Sequence, residues 1–334
     1  MSAVLSTLER PAGWAIALAG FLARGGVIVF LLPIVTIPTP AGIQARLSPL
    51  LVPFAFGEVA PGFVLLVAGL ASVALAWIVV GGLVGAWSEV QLVRDAAAQQ
   101  EPPVSTSAGG PRVVLEVLAA RLLAHVPLGA ALAWGAARIV DVTYAELTTP
   151  FEVVTPLAVR IVAAAPDAVA AVVGTWLLGE AAGGLAAREI IVDRRDPLAA
   201  VVTGWFRIVR RPVSALATIG STSLALVVTI APGLVAAGAA WSWVRTVLFD
   251  AGNPAELAVP LAVFVALWLG ALALTGFGAA LRSNAWTIEW LRRRQTGPLA
   301  DGDRTTGTRP VGTIGDGEPT QQGGWPSPGA SDTV

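Results

Sequence analysis

The chain has 334 residues, 55% of them apolar and only 13% charged, with a formal net charge of −1 and a mean hydropathy of +0.73. A soluble domain carries about 25% charged residues, so this composition excludes an ordinary soluble fold, and a net charge near zero gives nucleic-acid binding no electrostatic support. Cys is absent, which removes disulfides, thiolate chemistry and sulfur metal sites, and all 21 basic residues are Arg, a bias expected of a GC-rich bacterial genome.

Residues 1–12, MSAVLSTLERPA, lack the pattern of a cleavable signal peptide, so the first apolar segment is expected to stay in the mature protein. About 20 residues of helix cross a hydrocarbon core of roughly 30 Å. Six segments reach that length, at about 16–38, 61–87, 127–147, 166–188, 212–240 and 257–281. They are too apolar all round for surface helices. Turn signals separate them: IPTP before Ala41, EPP at 101–103, TTP at 148–150, RRP at 210–212 and GNP at 252–254. The expected fold is an all-α integral membrane bundle of six transmembrane helices, covering residues 1–295.

Charge sets the expected orientation. With six spans, 17 of the arginines fall on the side shared by both termini, and only Arg46, Arg138, Arg160 and Arg245 fall opposite. The positive-inside rule places the 17 in the cytoplasm of a bacterial inner membrane. From residue 296 to 334 the chain is rich in Gly, Pro, Thr and Asp without apolar period, and reads as a disordered cytoplasmic tail in which Trp325 is incidental.

The stretch RRDPLAAVVTGWFRIVRR at 194–211 departs from the spans around it. Asp196 is a good N-cap and Pro197 suits the first helical position. Leu198, Val201, Val202, Trp205 and Val209 share one face by helical spacing, and Thr203, Arg207, Arg210 and Arg211 share the other. This is the pattern of a helix lying in the membrane interface, with Trp205, Arg207, Arg210 and Arg211 at anionic headgroups of the cytoplasmic leaflet. Segments 13–30 and 112–135 have a related layout, and Trp77, Trp176 and Trp268 precede Gly85, Gly184 and Gly276, each by eight residues. A threefold repeat of interfacial helix plus hairpin, over about 1–97, 111–195 and 196–295, is therefore expected.

The block DRRDPLAAVVTGWFRIVRRPVSAL, with its acidic residue and Pro, small apolar run, aromatic and basic residues before a span, resembles the corresponding block of a broad bacterial group of six-span membrane proteins. That group includes the membrane domain of some glycerophosphodiester phosphodiesterases. The resemblance implies the six-span layout over residues 1–295. The residues of a soluble phosphodiesterase domain are not in this sequence, so it implies no catalytic residue.

Several chemistries lack parts: there is no Lys for a P-loop, His125 is the only His, and no G-x-S-x-G occurs. No metal or cofactor is expected. Glu180, in WLLGEAAGG, lies eight residues, about 12 Å, from the inner end of the fourth segment. A carboxylate at that depth must be paired, protonated or wet. Its readings are a buried pair with an Arg such as Arg24, or a polar relay or ligand site. Ser214, Thr218, Thr222, Ala225 and Thr229 run down one face of the fifth segment, as a helix interface or as a pore lining. Arg160 and Asp167 are seven apart, with Pro166 placing Asp167 in a helix start, and His125 is a polar tip at a helix junction or a pH sensor. Glu180, Arg24, Thr218 and Thr222 are the candidate intramembrane site. The leading function is a non-enzymatic transport-associated or scaffold component with a protein partner of unspecified kind. A permease with its site near Glu180 is the alternative, and a lipid-handling enzyme is a third reading.

Overall fold

A computed structural model describes residues 3–35, 58–100, 103–107, 110–148, 157–210, 212–250 and 254–295, with Gly42, Pro49 and Pro53. The expected tail with Trp325, and the predicted outer Arg46 and interfacial Arg211, lie outside the described residues. The chain divides into a unit of Met1–Arg292 and a second unit of Arg293–Val334. The helical bundle belongs to the first.

Among the described residues every regular element is helical. The order is α1 (Ala3–Leu8), α2 (Pro11–Phe21), a π-turn (Leu22–Gly26), α3 (Val27–Leu31), α4 (Pro61–Ala98), α5 (Pro111–Ala124), α6 (Val126–Thr148), α7 (Leu157–Ala164), α8 (Pro166–Asp193), α9 (Pro197–Arg210), α10 (Pro212–Asp250) and α11 (Pro254–Gln295). Six stretches, Pro11–Leu31, Pro61–Ala98, Pro111–Glu146, Pro166–Asp193, Gly220–Phe249 and Ala255–Arg294, are long and apolar enough to cross a membrane. They are the helices of a multi-pass membrane protein.

The helices outrun the apolar segments of the sequence. The second segment is apolar to about 87, and α4 runs to Ala98; the sixth is apolar to about 281, and α11 runs to Gln295. Hydropathy falls at those points because charged residues begin, but the backbone stays helical; past residue 87, Glu89 pairs with Arg24 and Arg121, and Asp95 with Arg10. The two ends of α4 differ accordingly. Pro61–Val80 carry no charge and are exposed, apart from the half-exposed Phe63. Such a helix surface is stable where lipid replaces water. From Gly81 onward α4 is mostly buried against its neighbours.

The main core lies at this charged end and is made of small residues. Ala86, Val90, Val93 and Ala97 of α4 meet Val117, Ala120 and Ala124 of α5. Ala182, Ala186 and Ile190 of α8, Ala200 and Ile208 of α9, and Trp286 and Trp290 of α11 complete it. Alanine and glycine surfaces let helices approach closely, which in lipid supplies the packing that hydrophobic burial supplies in water. A second cluster, Ala237, Ala240, Val244 and Phe264, joins α10 to α11. The N-terminal helices dock through polar contacts: Asn284 Nδ2 donates to Thr7 Oγ1 at 2.9 Å, and Ser6 hydrogen-bonds Gln99.

Two breaks shape the bundle. Gly25 has φ 105°, a conformation open to glycine, and bends the chain within the π-turn that carries Arg24. Arg194 takes the left-handed conformation at the end of α8, so that Arg195 turns back and its backbone N–H reaches the Glu189 carbonyl. Asp196 then caps α9, its Oδ2 accepting from the backbone N–H groups of Leu198 and Ala199. Arg160 and Asp167 do not pair with each other: Asp167, in the first turn of α8, pairs with Arg138 at 3.3 Å, and Arg160 pairs with Glu146 at 3.5 Å.

Candidate functional site

Glu89 is the centre of a buried ionic network. Its side chain is 7% exposed. Glu89 Oε2 accepts from Arg24 Nη2 at 2.9 Å, from Arg121 Nη2 at 2.7 Å and from Arg121 Nε at 3.0 Å. Glu89 Oε1 accepts from Arg121 Nη2 at 2.7 Å and lies 3.8 Å from Arg188 Nη1. Arg121 uses its remaining nitrogen on Glu180, Nη1 to Oε2 at 3.0 Å. His125 Nε2 is 3.5 Å from Glu180 Oε1, and His125 Nδ1 donates to the Arg121 carbonyl at 2.8 Å. One arginine thus bridges two glutamates from two helices. Its planar fork suits that task, where a lysine would offer a single point of charge.

Glycines make the room. A Cβ on Gly85 would stand 2.6 Å from Arg24 Nε, and one on Gly183 would stand 3.0 Å from Arg121 Cδ. One turn before each, Gly81 sits against the Ala23 carbonyl and Gly179 against Ala124 and His125. The two G-x-x-x-G steps are therefore seats for the helical breaks that carry the arginines. Gly81, Gly85 and Glu89 follow each other at intervals of four on one face of α4.

A second pairing lies at the end of α8. Glu189 is fully buried and holds Arg195 Nη1 at 3.0 Å and Arg207 Nη1 at 2.9 Å. This ties α9 down onto α8, and the Gly204 position lets α9 rest on the backbone of Ala182. Helix α9 has three faces. Ala200, Val201, Gly204 and Ile208 are buried against the bundle. Leu198, Val202, Phe206 and Val209 are exposed. Arg207 and Arg210 lie on the polar side, Arg210 stacked 4.0 Å from the Phe206 ring centroid.

The structure brings Glu180 and Arg24 to one site, but Arg24 bonds Glu89 and the Gly85 carbonyl, and Glu180 bonds Arg121. Thr222 accepts a hydrogen bond from Trp286 Nε1 at 2.7 Å, linking α10 to α11. The Thr218 side chain lies outside the described residues. Trp205 is half-buried against the main core. Sequence reasoning missed Glu89, Arg188, Glu189 and Arg282. The available signal for Glu89 was the glycine step that precedes it; Glu89 itself sits two residues past the expected end of its span and reads there as a flanking charge.

Among the described residues no group of three His, Asp or Glu side chains is arranged to hold a metal ion. Comparison with protein-family models, with curated proteins and with solved structures gave no match.

Proposed function

We propose that the chain is a non-enzymatic scaffold or transport-associated component of a bacterial inner membrane, with both termini and the buried ionic network on the cytoplasmic side. One observation carries this reading: Glu89 and Glu180, the carboxylates best placed for chemistry, are both held by arginines, so they serve to join α4, α5, α8 and the π-turn. The experiment is native mass spectrometry of protein extracted gently from its own membrane. A second polypeptide at fixed stoichiometry, retained by Glu180→Gln, is the expected result. A lone chain in both samples would sink the scaffold reading.

A permease is the second reading. It draws on Glu180, whose side chain is 24% exposed and faces His125. Its mark would be a solute flux abolished by Glu180→Gln while the protein remains folded.

The chain further reads as three copies of short helix, span and long helix: α2–α3–α4, α5–α6–α8 and α9–α10–α11. Arg24 seats on Gly85 and Arg121 on Gly183, one residue before the Gly184 that the Trp–Gly spacing aligns with Gly85, and this similarity supports the repeat for the first two copies. The third departs, since Gly276 meets Trp14 of the first copy. The six-span bacterial group that the 193–216 block resembles remains the proposed kinship.

Helix α9 is proposed to lie on the cytoplasmic leaflet, with Leu198, Val202, Phe206 and Val209 in the acyl boundary. Arg207 is committed to Glu189, so Arg210 and, from the sequence alone, Arg211 are the arginines proposed for anionic lipid. The double variant Arg210→Gln, Arg211→Gln is expected to lose about 2 kcal/mol of attraction to anionic vesicles, roughly thirtyfold, in low salt. At high salt the difference should shrink. Arg207→Gln should instead lower thermal stability, because it strips one partner from a buried carboxylate.

A further inference from the structure

The buried network carries more positive than negative charge. Arg24, Arg121, Arg188 and Arg282 lie within electrostatic range of one another, against two carboxylates, Glu89 and Glu180. His125 faces Glu180 and adds no negative charge. The glutamates are spent on Arg24 and Arg121. Arg188 and Arg282 are left short.

Arg188 is only 3% exposed, and it reaches Glu89 at no better than 3.8 Å. It donates to the carbonyls of Gly184 and Ser283, and its Nε is buried with no hydrogen-bond partner. Arg282 makes no hydrogen bond or ion pair with the described residues. Both guanidiniums sit by one indole, Arg188 at 5.3 Å and Arg282 at 5.6 Å from the Trp286 ring centroid. A π-face attracts each cation but does nothing to reduce their mutual repulsion. Holding the buried Arg188 and the partly buried Arg282 beside one ring without a counter-charge of their own is costly, and an anion beside them removes that cost.

The chemistry of two planar forks beside an aromatic ring fits a phosphate, whose oxygens accept paired N–H donors. Position fits as well. Residues 257–281 carry no charged side chain. That run is about 37 Å long as helix, so it spans a hydrocarbon core of roughly 30 Å and delivers Arg282 to headgroup level.

We propose that Arg282 and the unpaired edge of Arg188, braced on Trp286, form a binding site for a phosphate group, carried by an anionic phospholipid or by free phosphate. This does not depend on whether the protein is a scaffold or a permease.

The test compares the purified wild-type chain with Arg282→Gln, and with Arg112→Gln as a control at an exposed arginine. Native mass spectrometry measures retention of phosphatidylglycerol against phosphatidylcholine. Thermal unfolding in sodium phosphate against sodium chloride, at matched ionic strength, measures free phosphate. At least a tenfold preference for phosphatidylglycerol, lost in Arg282→Gln and kept in Arg112→Gln, supports the site with a lipid occupant. Stabilisation by millimolar phosphate, lost in Arg282→Gln, with the two lipids retained alike, supports it with free phosphate. Wild-type protein that responds to neither overturns the proposal, as does an Arg282→Gln variant that behaves as wild type. Should Arg282→Gln fail to fold, Arg282→Lys keeps the charge without the fork, and an undiminished anion response in it overturns the proposal too.

Discussion

Replacing Glu89 by Gln is expected to destabilise the folded protein by about 3–5 kcal/mol, the range for removing one partner of a buried ion pair. The reason is specific to this site. Glu89 touches Arg24 and Arg121 and lies near Arg188, and its glutamine replacement offers one acceptor oxygen and no charge. Arg121 would keep Glu180. Arg24 would keep only the Gly85 carbonyl, on the same helix as the lost carboxylate. The measurement is the midpoint of unfolding in mild detergent, with Arg112→Gln as the comparison. Arg112 is almost fully exposed and pairs with Glu116, so its loss is expected to cost less than about 1 kcal/mol. A double-mutant cycle of Glu89→Gln with Arg121→Gln isolates the pair. The double variant should be less damaged than the two single effects added together. Strict additivity would show that Glu89 and Arg121 do not stabilise each other and would remove the network from the account of the fold.

The spans were legible because hydropathy reports the energy of each residue in lipid, one residue at a time. Pro61–Val80 and residues 257–281 need nothing else. The network was only half legible because its members gain meaning in pairs. Glu180 stands out in an apolar window, and its depth alone calls for a paired Arg. That the partner is Arg121, on a helix before a break at His125, depends on how α5 crosses α8, which no local pattern encodes. Arg24 is a member of the same network but serves Glu89 instead. Glu89 and Glu189 escape notice for one reason: both lie just past the ends of apolar segments, where a charge is ordinarily solvated. The amphipathic reading of α9 is sound in period but divides the helix into two faces. The fold gives it three, since Ala200, Val201, Gly204 and Ile208 pack against the bundle while Leu198, Val202 and Val209 point away, so Val201, grouped by its spacing with the exposed residues, turns inward.

Gly81→Ala is the second large effect, and it reverses the ordinary sign. In a helix interior, Ala is preferred to Gly by up to about 1 kcal/mol. At Gly69 nothing lies within reach of an added Cβ, so Gly69→Ala should be neutral or slightly stabilising. At Gly81 the added Cβ would run into the carbonyl oxygen of Ala23. That atom is backbone, fixed on both sides by the π-turn, and cannot swing aside as a side chain would. Helix α4 and the turn must separate, and the same separation draws Arg24 away from Glu89. A loss of about 1–3 kcal/mol is expected, as for other overpacked cores. Gly85→Ala should cost less than Gly81→Ala, because the atoms it meets belong to the Arg24 side chain, which has torsions to adjust. The three variants can be ranked by unfolding midpoint in one detergent. The order Gly69→Ala, then Gly85→Ala, then Gly81→Ala supports a contact set by backbone approach. Equal midpoints for Gly69→Ala and Gly81→Ala would mean that α4 does not rest on the π-turn, and the seating of Arg24 would fall with it.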